Sequence, residues 1–162
     1  VKIVDQGYLE KKCVSPDWKA EMDSVAKMFH LNAEQECAFH IVSNHSCHPT
    51  SEKLKMHIGG MGGTGKSQVL KALMEFFKCK KESHQFIIVA PTGSAAALLG
   101  GSTYHYMFGI NDFAFGKSAN LQLAEGVDYV FMDEVSMLSC KDIYRISERL
   151  AWVMNNNEEP FG

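Results

Sequence analysis

The residues Gly60-Met61-Gly62-Gly63-Thr64-Gly65-Lys66-Ser67 fit the pattern G-x-x-x-x-G-K-[ST]. Glycines at this density let a backbone fold into a nest whose N–H groups converge on an anion. Gly60, Gly62, Gly63, Thr64 and Gly65 would form that nest, at the positive end of a helix that begins near Lys66. The Lys66 ammonium would then reach the β- and γ-phosphates of a bound ATP, and the Ser67 hydroxyl would ligate Mg²⁺. A glycine-rich turn that binds nothing is the alternative. It is disfavoured because an alternating apolar segment precedes the run and helical spacing follows it.

A phosphate loop alone binds but does not hydrolyse. The apolar run Val130-Phe131-Met132 leads into Asp133-Glu134, and the carboxyl ends of strands are where open α/β sheets bind ligands. Asp133 is expected to hold Mg²⁺ through water, and Glu134 to polarise the attacking water. A lone aspartate at such a place is commonly a helix cap. Paired with a phosphate loop, it reads as part of an ATPase whose catalytic residues are Lys66, Asp133 and Glu134. Asp128, earlier in the same strand, is expected to face solvent.

These groups need a scaffold, and the periodicities describe one. Ser15-Pro16 starts a helix that places Trp18, Met22, Val25 and Phe29 on one face. Asn32 with Gln35 resembles a capping box for a second helix, continued by Ala38, Ile41, Val42 and His45. Leu54, Met56 and Ile58 alternate with Lys55 and His57, which predicts a strand ending at Gly59-Gly60. Val69, Leu70, Leu73, Phe76 and Phe77 predict the helix behind the loop, closed by Lys78, Lys80 and Lys81. The continuous run Phe86–Ala90 reads as a strand buried on both faces. Ala95–Leu99 reads as a short helix ended by Gly100-Gly101, and residues 102–126 as irregular. Val127–Met132 is a third strand, and Ser139 caps a last helix with Ile143, Ile146, Leu150 and Val153 inward. Alternating helices and strands give an α/β class with a parallel sheet.

Composition sets the outer limits. With 162 residues, 46% apolar and 22% charged, the chain reads as one ordinary globular domain. Its longest apolar runs are far short of the ~20 residues that span a bilayer, so no membrane partner is expected. The formal net charge of −3 gives no global basic field, so contacts with nucleic acid would have to be local. Five scattered cysteines, without a C-x-x-C pair, fit a reducing intracellular compartment. The chain begins on Val1 and has no signal-like start, and it reads as a fragment.

Asp133-Glu134-Val135-Ser136-Met137 after this loop resembles superfamily 1 DNA helicases. The resemblance is nearest to the petite-integration-frequency (Pif) family and its RecD-like relatives, including helicases of Helitron transposons. Leu31-Asn32-Ala33-Glu34-Gln35 is similar to the family's Q motif, which implies that Gln35 reads the adenine edge. Ala90-Pro91-Thr92-Gly93-Ser94-Ala95-Ala96 is similar to motif Ia, and Gly101-Ser102-Thr103-Tyr104-His105 to the next DNA-contacting motif. Tyr104 stands where the family usually has an aliphatic residue. The resemblance implies DNA contacts at Thr92, Gly93, Thr103 and His105, single-stranded DNA as partner, and 5′-to-3′ movement. It implies a P-loop NTPase (RecA-like) fold, a parallel sheet flanked by helices, truncated before the motif III strand. Residues 31–162 would be the first RecA-like domain, incomplete at its C-terminus, with 1–30 as a helical extension. The motif III glutamine, an arginine finger and the second RecA-like domain would lie beyond Gly162. Hydrolysis by the fragment itself would then be slow, and its sheet would carry a gap that prevents cooperative folding. A nuclear or mitochondrial location is implied for a eukaryotic source.

Two other functions compete with this one: a P-loop NTPase that does not act on DNA, and a transposon-derived remnant that binds nucleotide without helicase activity. Weaker features have simpler readings. His40, His45, Cys47 and His48 lack paired metal-ligand spacing, so a polar helix end is preferred over a zinc site. Lys78, Lys80 and Lys81 complement a helix dipole without touching DNA, and Trp18 and Phe29 read as core rather than base-stacking residues.

Overall fold

The computed structural model describes residues 16–47, 53–110 and 126–162. The expectations for Ser15, His48, Pro49 and residues 111–125 lie outside these. The chain divides into two compact units, Val1–Ser83 and His84–Gly162, where the composition suggested one domain.

The first unit is helical: α1 (Pro16–Met28), α2 (Ala33–Cys47) and α3 (Lys66–Cys79). Their apolar stripes meet in a core in which Val25, Phe39, Val69, Leu73, Phe76 and Phe77 are fully buried. Each such side chain contributes about 1.5–3 kcal/mol by leaving water. Phe76 is the hub, edge-on to Trp18 at 6.0 Å and to Phe39 at 5.9 Å, so the half-buried Trp18 packs against the core, in line with its spacing. Asn32 starts α2 as the sequence suggests: its Oδ1 accepts from Gln35 N–H and Gln35 Oε1 accepts from Asn32 N–H, both at 2.9 Å.

Lys80 follows α3, and its side chain is only 6% exposed. It is ion-paired with Glu82, donates to Ser46 O at 3.0 Å, and lies about 6 Å from the ring centres of Trp18, Phe76 and Phe77. This lysine ties the α3 terminus to the end of α2. It is a core cation, not a solvent-facing partner for DNA phosphates.

One expected element is missing from this unit. Residues 53–59 are not a strand, although Leu54, Met56 and Ile58 alternate with Lys55 and His57. Alternation says which face would be buried if the segment paired. It does not supply the partner, and 53–59 belongs to none of the strand pairs among the described residues.

The second unit carries the sheet. β1 (Phe86–Ala90), β2 (Ser102–Thr103) and β3 (Tyr129–Met132) lie in the order β2-β1-β3, all parallel. The register pairs Val89 with Ser102 and Ala90 with Thr103 on one side of β1. On the other it runs from Phe86 opposite Tyr129 to Val89 opposite Met132. α4 (Gly93–Leu98), α5 (Tyr104–Phe108) and α6 (Cys140–Val153) complete the unit. Val89, Tyr104, Phe108, Ile110 and Ile146 form its core. Gly101 is required by close approach, since a Cβ there would lie 2.4 Å from Ile88 O.

Residues 102–110 are more regular than their sequence suggested. Thr103 Oγ1 caps α5 by accepting from Tyr106 N–H at 3.4 Å, and Gly109 ends it at φ 60°. A threonine cap followed six residues later by glycine was the available signal. At five residues, α5 was too short for a periodicity to show.

Candidate nucleotide site and strand-end cluster

The loop 60–67 runs into α3, which starts at Lys66 as expected. Three donors converge on Met61 O: Thr64 N–H at 3.4 Å, Thr64 Oγ1 at 2.9 Å and Lys66 Nζ at 3.0 Å. Lys66 Nζ also donates to Gly60 O at 2.9 Å. The ammonium is thus held over the loop it closes. Gly63 and Gly65 both have φ 81°, a region that L side chains rarely enter. A Cβ on Gly62 or Gly63 would meet no protein atom within 4 Å, so neither glycine is required by packing against the chain itself. Ser67, second in α3, is exposed.

Gln35, which the resemblance assigns to adenine, reaches this loop. Its Nε2 donates to Thr64 O at 3.1 Å and to Gly65 O at 3.4 Å. Nearby, Gln68 Nε2 donates to Phe29 O at 3.2 Å, tying α3 to the end of α1. Neither link is visible in the sequence, because partners 29 to 39 residues apart leave no local pattern.

In the second unit, parallel pairing brings the remaining candidates to one edge of the sheet. Asp133 and Glu134 follow β3, Thr92 and Gly93 follow β1, and Thr103 and His105 end and follow β2. All are at carboxyl ends, the ligand-binding side of open α/β sheets. Asp133 extends the ladder, its N–H donating to Val89 O at 2.9 Å. Its Oδ1 accepts from Glu134 N–H at 3.0 Å, which fixes a half-buried carboxylate at the strand end. Glu134 is exposed and left-handed, at φ 50° and ψ 38°. Asp128 faces solvent, as expected.

The threonines have structural work of their own. Thr92 Oγ1 accepts from Ala95 N–H at 3.3 Å and caps α4 as Thr103 caps α5. Gly93 is exposed. His105 is not in a loop, as its position after a strand suggested, but in the first turn of α5. Its exposed ring is 3.9 Å from that of Tyr104. His40 pairs with Glu36 at 3.4 Å, and among the described residues no three His, Cys, Asp or Glu are grouped to hold a metal. Cys37, Cys47, Cys79 and Cys140 are free thiols. No helix of the described residues is long and apolar enough to cross a membrane.

The PIF1-like helicase family matches residues 30–162. ATP-dependent DNA helicase PIF3 of Trypanosoma brucei brucei is 34% identical over 110 residues, 66% of this chain and 13% of the relative. ATP-dependent DNA helicase RRM3 of Saccharomyces cerevisiae is 26% identical over 82% of this chain and 18% of its own length. Unliganded Pif1 from Bacteroides sp superposes with a TM-score of 0.56 and 26% identity, over 82% of this chain and 29% of that one. The chain therefore spans a small part of the relatives that it matches. The motifs in 31–137, the parallel sheet with its strand-end carboxylates and the match over 30–162 agree, and the chain belongs to the PIF1-like helicase family.

Proposed function

We propose that this chain is the ATP-hydrolysing part of a DNA helicase motor. The observation that carries the reading is the loop 60–67. Its left-handed glycines, its convergence on Met61 O and the Lys66 ammonium at the start of a 14-residue helix make an anion cradle. On nucleotide binding, Lys66 exchanges the Gly60 and Met61 carbonyls for β- and γ-phosphate oxygens. Ser67 and Asp133 offer a hydroxyl and a carboxylate, hard donors that suit Mg²⁺. Held by these donors, Mg²⁺ would supply positive charge against that developing on the phosphates. Glu134 orients the attacking water and accepts its proton.

DNA enters through the relatives, which are named ATP-dependent DNA helicases, and through the sheet edge that gathers Thr92, Gly93, Thr103 and His105. Translocation 5′ to 3′ along single-stranded DNA is the form of this reading that the resemblance implies. Residues 31–162 are assigned to the first RecA-like domain, with 1–30 as an extension of it.

The test is calorimetric titration with ATP, followed by ATP turnover of the whole protein with and without single-stranded DNA. Lys66→Ala is expected to weaken ATP binding at least tenfold, since a charge-assisted hydrogen bond contributes about 1.5–3 kcal/mol. Unchanged affinity removes Lys66 from the site. Turnover indifferent to DNA favours an NTPase that does not act on DNA.

A further inference from the structure

The Gln35 carboxamide is committed to two stretches of backbone at once. Oε1 accepts from Asn32 N–H at 2.9 Å and closes the start of α2. Nε2 donates to Thr64 O at 3.1 Å and to Gly65 O at 3.4 Å, at the far end of the phosphate loop. Gly65 O also accepts the Gln68 N–H at 2.9 Å, so the carbonyl that Gln35 touches belongs to the first turn of α3. The fit is close. A Cβ on Gly65 would press on Gln35 Nε2 and displace the carboxamide, while the φ of 81° is what favours glycine there.

Thr64 and Gly65 are the two residues before Lys66. Fixing their carbonyls fixes the peptide planes whose N–H groups turn toward a bound anion, and with them the root of the lysine. We propose that Gln35 is a positioning residue of the phosphate loop: it raises affinity for the polyphosphate through the backbone of Thr64 and Gly65, whatever base is attached. This rests on the nucleotide site proposed for residues 60–67. It assigns Gln35 a task separate from reading adenine, and the separation can be measured with a ligand that has no base.

The experiment is calorimetric titration of the full chain with ATP and, separately, with inorganic tripolyphosphate. The proteins are wild type, Gln35→Ala, Asn32→Ala and Lys66→Ala. Gln35→Ala is expected to weaken both ligands by the same factor, about tenfold, as for one or two lost hydrogen bonds. Asn32→Ala removes the Oδ1 half of the cap and leaves the loop contacts, and is expected to bind both ligands as wild type does. Loss of ATP affinity in Gln35→Ala with tripolyphosphate unchanged would make Gln35 a base reader and overturn the proposal. Equal weakening by Asn32→Ala overturns it too, reducing Gln35 to a helix cap, as does wild-type affinity of Gln35→Ala for both ligands. If Lys66→Ala also keeps wild-type affinity, or wild type binds neither ligand, the nucleotide site itself fails, and the inference with it.

Discussion

Glu134 shows how a candidate catalytic side chain is held at a cost. A non-glycine residue in the left-handed region loses roughly 1–2 kcal/mol, and such strain gathers at functional sites. Glu134→Gln keeps the shape and removes the basic group, so hydrolysis by the whole protein is expected to fall about 10²- to 10⁴-fold while ATP binding persists. A fall of less than about tenfold would show that Glu134 is not the base. Glu134→Gly relieves the backbone. It is expected to raise stability by roughly 0.5–1 kcal/mol, after the larger chain entropy of glycine when unfolded, and to abolish turnover. Denaturant midpoints and phosphate release measure the two effects. At this scale the sequence was informative where chemistry demands fixed spacing, as in 60–67 and 133–134. It was silent on contacts between distant residues. Lys80 reads from sequence as a charge that complements a helix dipole, and only the fold shows it beside three aromatic rings.

Among the elements, α6 has the most explicit start signal. Ser139 Oγ accepts from Asp142 N–H at 3.1 Å, while Asp142 Oδ2 accepts from Ser139 N–H at 3.2 Å and from Ser139 Oγ at 2.5 Å. Ser139→Ala is expected to cost about 1 kcal/mol. Hydrogen bonding from the Ser139 side chain holds the Asp142 carboxyl below its ordinary value, helped by the Tyr104 hydroxyl and by the nearby His105. A pKa depressed on folding means that the ionised form is favoured in the folded chain. Its stabilisation is fully present above the unfolded value near 3.8 and is lost as pH falls through the lower folded value. Asp142→Asn is therefore expected to be less stable than wild type at pH 6, with the gap narrowing as pH falls below 3.8. A gap independent of pH would mean that the ionised carboxylate contributes nothing. Caps of this kind are written locally, which is why Ser139 and the Asn32–Gln35 pair were legible before any fold was known. The alternation in 53–59 makes no strand because pairing is a property of two segments, and α5 leaves no periodic signature because five residues hold too little pattern.

For the whole molecule, the division into Val1–Ser83 and Gly162-terminated His84–Gly162 bears on how the chain unfolds. One unit buries Phe39, Phe76 and Phe77 completely in a three-helix core. The other rests on three short parallel strands, one of them two residues long, and all four residues of β3 are only half-buried. Buried apolar area is the main stabilising term, so the sheet unit is expected to be the weaker. The sequence supplies one tryptophan to each: Trp18 packs on Phe76, and Trp152 lies in the last turn of α6. Trp152→Phe leaves a reporter in the helical unit, and Trp18→Phe leaves one in the sheet unit. Urea titrations of the two variants, followed by fluorescence and by far-ultraviolet circular dichroism, read the units separately. The Trp152 signal is expected to change at lower urea than the Trp18 signal, with circular dichroism spanning both transitions. Each substitution weakens its own surroundings, so the wild-type dichroism curve is the reference. Coincident midpoints in both variants, with one steep wild-type transition, would show a single cooperative domain.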